Sequence, residues 1–141
     1  MKTLNRAALL TKEKLEVVLV DLGKDECVYV RQMTAYERDK FEQSLRKEVS
    51  NPRTGETKIE LLLENFRAKL AVYTVCDEKG TPIFEVEDFE TLSKSMSASR
   101  MEKIINVAQE INAITEKDKE GLLKNSEADQ VGNSTSASAK N

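Results

Sequence analysis

The sequence contains no histidine and no tryptophan, and it is poor in proline, glycine, cysteine and aromatic residues. The lack of histidine excludes triads and metal sites that depend on imidazole, together with the commonest general base at neutral pH. The five glycines are spaced singly, which is typical of turns and excludes a glycine-rich phosphate loop. These patterns offer no catalytic residues, and we expect no cofactor and no metal ion.

The sequence also lacks a strong excess of one charge, a long apolar run and a secretory signal. Its net charge is −3, and basic and acidic residues are interspersed, so we predict no basic surface for nucleic acid or an anionic membrane. No stretch reaches the ~18 consecutive apolar residues of a membrane-spanning helix, and no apolar signal region follows Lys2 and Arg6. We therefore expect a cytoplasmic protein that binds neither nucleic acid nor membrane.

Two cysteines and one acidic segment are the remaining candidates for chemistry. Cys27 and Cys76 lie outside any Cys-x-x-Cys spacing and are interpreted as reduced thiols, with a disulfide as the alternative. Cys76 could act as a nucleophile, but Asp77 and Glu78 disfavour a thiolate, so a structural thiol is the better interpretation. The carboxylates between 85 and 90 could bind calcium, but they lack the spacing and the glycine of such a loop, which favours a solvated helix start.

The length of 141 residues suits one domain with a modest core. We predict that residues 1–124 form this domain and that 125–141, which contain no aromatic residue, form a disordered polar tail. The predicted fold is mainly α with a small N-terminal β-hairpin (α+β). The hairpin is placed at about 15–31, where two β-branched apolar runs flank Gly23. The predicted helices lie at about 35–49, 58–76, 87–95, 98–114 and 116–123.

Residues 58–76 are the predicted centre of the fold, because they carry apolar side chains on two opposite sides when wound as a helix. One stripe, containing Phe66 and Leu70, is predicted to pack against the helix at 98–114. The second stripe is made of Leu61, Ala68, Val72 and Val75. Two interpretations of the second stripe are open: it is covered within the chain, or it binds a second copy or a client helix.

Several short segments occur in the order and spacing of a known family. Residues 30–39 read VRQMTAYERD, in which Thr34 and Glu37 also form a capping box that predicts a helix start. The other matching segments, in chain order, are NRAALL (5–10), NFRAKL (65–70), DEKG (77–80), AQEIN (108–112) and LKNSE (123–127). With these segments the chain resembles the tail assembly chaperones of long-tailed bacteriophages over nearly its whole length.

The resemblance implies an assembly factor rather than an enzyme. This factor would bind and solubilise the tape measure protein during tail morphogenesis and be absent from the mature virion. The resemblance also implies a minority product, extended by ribosomal frameshifting, that recruits the tail tube protein. Residues 139–141 (AKN) or 123–125 (LKN) could be encoded by a slippery heptamer. Frameshifting is therefore a prediction for this chain as well.

A homo-oligomer is a further expected state, because hairpin edges and a helix with two apolar stripes are readily paired by symmetry. Two other classes of function stay open. One is a virion structural protein, such as a tail completion or connector subunit, which would be found in purified particles. The other is an adaptor unrelated to phage, which would need no neighbouring gene for a very long helical protein.

Overall fold

The computed structural model describes residues 1–61, 64–115, 117–118 and 121. In this part of the chain the elements are α1 (Arg6–Leu10), β1 (Val17–Gly23), β2 (Glu26–Arg31), α2 (Ala35–Ser44), β3 (Arg46–Ser50), β4 (Thr57–Leu61), α3 (Phe66–Thr74), β5 (Val75–Cys76), α4 (Phe89–Ser95) and α5 (Ala98–Ile111). A 3-10 turn at Val86–Asp88 leads into α4. The predicted tail at 125–141, and most of the predicted helix at 116–123, lie outside the described residues.

A three-stranded antiparallel sheet has β2 at its centre, between β1 and β5. The predicted hairpin is its first part, since β1 pairs with β2 from Val17↔Arg31 to Gly23↔Glu26. The reversal at Gly23 has φ +86, a value that glycine adopts without strain. The third strand, β5, directly follows α3 and pairs Val30 with Val75.

The prediction of a mainly α fold built on a helix at 58–76 is wrong, because the described residues form five strands in two antiparallel sheets as well as helices. The first part of that segment is β4, which pairs with β3 from Arg46↔Leu61 to Ser50↔Thr57. Polar and apolar residues alternate over 58–61, and this period of two favours a strand. A helical period counted over the whole of 58–76 averages out that alternation.

The predicted helix at 35–49 is also shorter than expected. It starts at the predicted place, because the Thr34 hydroxyl and the Glu37 carboxylate form the capping box. It ends at Ser44, where Leu45 turns into the core and the chain continues as β3. The central helix likewise begins only after Asn65, which has a left-handed φ of 65°.

The core is organised around α3, which contacts α2, α4 and α5. Helix α5 lies between α3 and the three-stranded sheet, because it contacts α3, β1 and β2. Phe41 of α2 joins the helices by edge-to-face ring contacts, with centroid distances of 5.5 Å to Phe66 and 6.1 Å to Tyr73. The largest fully buried side chains are Phe41, Leu45, Leu70, Ile104, Val30, Val75 and Thr74.

A buried lysine joins three of these helices. The Nζ atom of Lys69 on α3 donates a hydrogen bond of 2.7 Å to the carbonyl of Ser44, at the end of α2. The same atom lies 5.1 Å from the ring centre of Phe89 on α4, a cation–π distance. Burial lowers the pKa of Lys69, and the charge of Glu64 opposes this shift.

Candidate interaction groove

The family-like segment at 30–39 forms the junction between β2 and α2. Thr34 caps the helix: its hydroxyl accepts the Glu37 N–H at 3.2 Å, and the Glu37 carboxylate accepts the Thr34 N–H at 2.9 Å. Two orphan donors of the first helical turn are thereby satisfied. The capping box therefore fixes the start of α2 shortly after the end of β2.

Arg31 places a charge inside this junction. Its side chain is only 8% exposed and forms an ion pair with the Glu37 carboxylate. Its Nη1 atom donates to the carbonyl of Gln32 at 3.3 Å, whereas its Nε has no hydrogen-bond partner among the described residues. A buried guanidinium must be paired to offset its lost hydration, so the carboxylate of Glu37 fixes the start of α2 against the end of β2.

Asn112, at the C-terminal end of α5, closes the junction from the other side. Its Oδ1 accepts the Met33 N–H at 2.7 Å, and its Nδ2 donates to the carbonyls of Ala108 at 2.9 Å and Arg31 at 3.4 Å. Its own carbonyl accepts a bond of 2.8 Å from Arg38 Nη1. We call this set, with Glu37, the Arg31–Asn112 clasp; it ties the sheet, α2 and α5 together.

Gln32 extends the clasp to the segment that precedes β1. Its side-chain carbonyl accepts the Glu16 N–H at 2.9 Å, and its side-chain amide donates to the carbonyl of Ile111 at 3.3 Å. The linker between α1 and β1 is thereby held against the end of α5. This linker forms one wall of an open groove.

The groove, which we call the junction groove, lies between the linker, the start of α2 and the turn after β5. Its lining includes Leu15, Val17, Arg31, Tyr36, Glu37, Gly80 and Pro82. Gly80 has φ +87, and a Cβ atom there would lie 3.3 Å from Val17 Cγ2, so glycine lets the turn approach the strand. A neighbouring cleft shares the linker residues and continues to Met33, Ala35, Ile111 and Ala113.

Tyr36 is the largest apolar side chain that the groove presents to solvent. It is 70% exposed, and the Nζ of Lys40 lies 5.5 Å from its ring centre. The charged residues that line the groove carry both signs, including Lys12, Glu13 and Lys79. The groove can therefore bury an apolar segment of a partner while polar groups at its rim stay hydrated.

The other large apolar side chains that the described residues expose are not in the second stripe. They are Met1, Leu4, Leu9, Leu10, Leu19, Ile83 and Val86. Of the predicted partner residues, Ala68, Val72 and Val75 are only 2%, 3% and 1% exposed. These three side chains are covered within a single chain, so the exposed-stripe interpretation does not hold for them. The fourth, Leu61, lies in β4, and its side chain is outside the description.

The two cysteines and the acidic segment, which the sequence offered as candidates for chemistry, lie in surroundings typical of structural residues. Cys27 and Cys76 are both free thiols; Cys76 is buried, which raises the pKa of its thiol, while Arg31 lowers it and Asp77 raises it further. In the acidic segment, the Glu85 N–H donates to the Asp88 carboxylate at 2.9 Å, as in a capping box. Among the described residues, no group of three or more acidic or cysteine side chains could hold a metal ion. None of the described helices is long and apolar enough to cross a membrane.

The clasp and the groove are the features that reasoning from the sequence missed. The capping box was a usable signal for one half of the clasp. The other half, Asn112, is 79 residues from Met33 and 81 from Arg31, and no local pattern links them.

Comparisons with known proteins find no matching family model, no matching curated protein and no matching solved structure.

Replacing Asn112 by alanine should lower the free energy of unfolding by about 2 kcal/mol, because the Met33 N–H loses its acceptor inside the clasp. Urea denaturation followed by circular dichroism measures this change. The matched control is Asn5→Ala, which removes the 2.9 Å cap of α1 but should leave global unfolding unchanged, since α1 buries no residue. Equal losses in the two variants would contradict a special role for Asn112.

The Glu37 carboxyl predicts how stability depends on pH. Burial alone would raise its pKa, but hydrogen bonds from Thr34 and the hydrogen bond and charge of Arg31 outweigh burial and hold the pKa below its ordinary value of 4.5. Because the pKa of Glu37 is lower in the folded protein than in the unfolded chain, its ionised carboxylate stabilises the fold at a pH above the unfolded pKa. This stabilisation is lost as the pH falls through the pKa of the folded protein.

Glu37→Gln should therefore lower the free energy of unfolding by about 2 kcal/mol at pH 7, because the Arg31 charge loses its partner. The difference from the parent protein should shrink as the pH is lowered below 4.5. Denaturation curves at pH 7, 5 and 3 test both parts. The control is Glu42→Gln, whose more exposed 3.1 Å pair with Arg38 should contribute less than about 1 kcal/mol. A difference independent of pH would refute the role given to the Glu37 charge.

Proposed function

We propose that this protein is a tail assembly chaperone that binds the tape measure protein of a long-tailed phage and keeps it soluble until the tail tube forms around it. The observation that carries the proposal is the junction groove, with Tyr36 70% exposed at its surface. The groove is built on the same segment, 30–39, that carries the family resemblance.

The physical basis is the burial of apolar surface on a client helix. A long helical protein exposes apolar stripes before it is assembled, and each stripe can associate with another chain. Burying about 100 Å² of such a stripe would contribute about 2.5 kcal/mol, offset by the loss of freedom on association. The charged surface of the chaperone, with 22 basic and 25 acidic residues in the chain, keeps the complex hydrated.

The remaining parts of the proposal follow from the family resemblance. The chaperone acts in the cytoplasm of the host cell, has no enzymatic activity and leaves before the virion is complete. A minority form, extended by ribosomal frameshifting, carries the domain that recruits the tail tube protein.

Co-expression with a tape measure candidate, sought among the genes that neighbour the gene for this chain, tests the proposal. We expect the candidate to be insoluble alone, and soluble and captured in a pull-down when this protein is present. Tyr36→Ser should reduce the captured fraction, because it removes the main apolar side chain of the groove. The matched control is Leu19→Ser, which removes an exposed leucine of β1 that is not among the groove residues.

Two results would count against the proposal. One is a candidate that stays equally insoluble with and without this protein, with no complex in the pull-down. The other is this protein found as a stoichiometric component of purified virions, which would favour a tail completion or connector subunit. If the candidate is captured but Tyr36→Ser and Leu19→Ser change the captured fraction equally, the chaperone proposal stands and the assignment of the groove as the binding site is wrong.

A further inference from the structure

The N-terminal arm, residues 1–14, contributes no side chain to the core. All fourteen residues are exposed, and α1 contains no buried residue. Leu9 and Leu10 are 67% and 68% exposed, and Leu4 is exposed as well. The arm therefore holds a cluster of leucines in water, at a cost that a docking surface would remove.

The helix in this arm is too short to persist by itself. It has five residues, whereas isolated helices below about 12–15 residues are marginal in water. The Asn5 side chain caps it through the Ala8 N–H at 2.9 Å, but one cap does not offset the cost of nucleation. A helical arm with exposed leucines is therefore typical of a segment that folds against a partner surface.

A surface of matching character lies on the same chain. The acidic segment, residues 83–90, exposes Ile83 at 54% and Val86 at 45%. It carries four carboxylates and no lysine or arginine, and none of these carboxylates takes part in an ion pair among the described residues. The arm is its opposite in charge, with Lys2, Arg6, Lys12 and Lys14 against the single carboxylate of Glu13.

We propose that the N-terminal arm of one copy binds the acidic segment of a second copy. Leu9 and Leu10 would pack on Ile83 and Val86, and the basic side chains of the arm would face the carboxylates of the acidic segment. Charge complementarity of this kind fixes register and accelerates association. The inference concerns the protein alone, so it does not rest on the proposed client.

Exchange between two copies suits the position of the arm. The linker that leads into the arm lines the junction groove together with residues 78–82, which directly precede the acidic segment. The base of the arm and the turn that leads into the acidic segment therefore line the same groove on each copy. Two copies related by a two-fold axis can exchange arms and form both contacts at once, as in a domain-swapped dimer.

Disulfide trapping tests the contact directly. In a Cys27→Ser background, which removes the exposed thiol and keeps the buried Cys76, copies carrying Leu9→Cys are mixed with tagged copies carrying Ile83→Cys. Mild oxidation should give a covalent heterodimer. The matched control replaces Leu9→Cys with Leu19→Cys, another exposed leucine position outside the arm, and should give little of this product.

Sedimentation velocity over a range of concentrations measures the association without any cross-link. We expect Leu9→Ser/Leu10→Ser to raise the dissociation constant by at least about tenfold, and Glu85→Lys/Glu87→Lys to weaken it as well. Leu19→Ser should leave it unchanged. Circular dichroism should show all variants folded, because the altered side chains are exposed.

Three outcomes would overturn the proposal: a parent protein that stays monomeric at high concentration, an association unchanged by the arm variants, or a yield of covalent heterodimer no higher than that of the Leu19→Cys control. None of these outcomes bears on client capture, so failure here leaves the proposed function to its own test. Conversely, if the protein dimerises through the arm but captures no client, the chaperone proposal is refuted and the dimer proposal stands.

Discussion

The burial of the Arg31 guanidinium is the constraint on which the junction of this fold depends. A charge that is 8% exposed needs a fixed partner, and the Glu37 carboxylate supplies it from the first turn of α2. That carboxylate is itself held by the helix cap at Thr34. Asn112 then joins the end of α5 to the backbone on both sides of Gln32. One ion pair and a few hydrogen bonds thereby set the geometry of the sheet, two helices and the groove beside them.

Local signals in the sequence were sufficient to predict the elements whose hydrogen bonds and side-chain pattern lie within one short segment. The hairpin, the capping box at Thr34 and the helical repeat that buries Met101, Ile104 and Ile105 all lie in the predicted places. The failure came at 58–76, where β4 depends on pairing with β3 across a six-residue turn. Periodicity within one segment cannot detect such a partner. A positive φ at Asn65 then separates the strand from a helix that is nine residues long.

The same distinction explains the candidate site. Ala68 and Val72 looked available because the length of α3 was overestimated and its neighbours were undercounted; with α2, α4 and α5 around it, both sides of the helix are covered. The surfaces that are left for partners belong to side chains that form no stripe, such as Tyr36 and the leucines of the arm. Their availability is a tertiary property. The proposed function rests on the order of short family-like segments, since no local chemistry of the chain specifies a client.

The central claim is that the junction groove, supported by the clasp, holds the client. Hydrogen–deuterium exchange on this protein, alone and in complex with the co-expressed tape measure candidate, tests it most directly. The account predicts that protection on binding concentrates in residues 12–17, 34–37 and 78–82, the three walls of the groove. A stable complex in which these segments exchange as fast as in the free protein, while protection appears elsewhere, would contradict it.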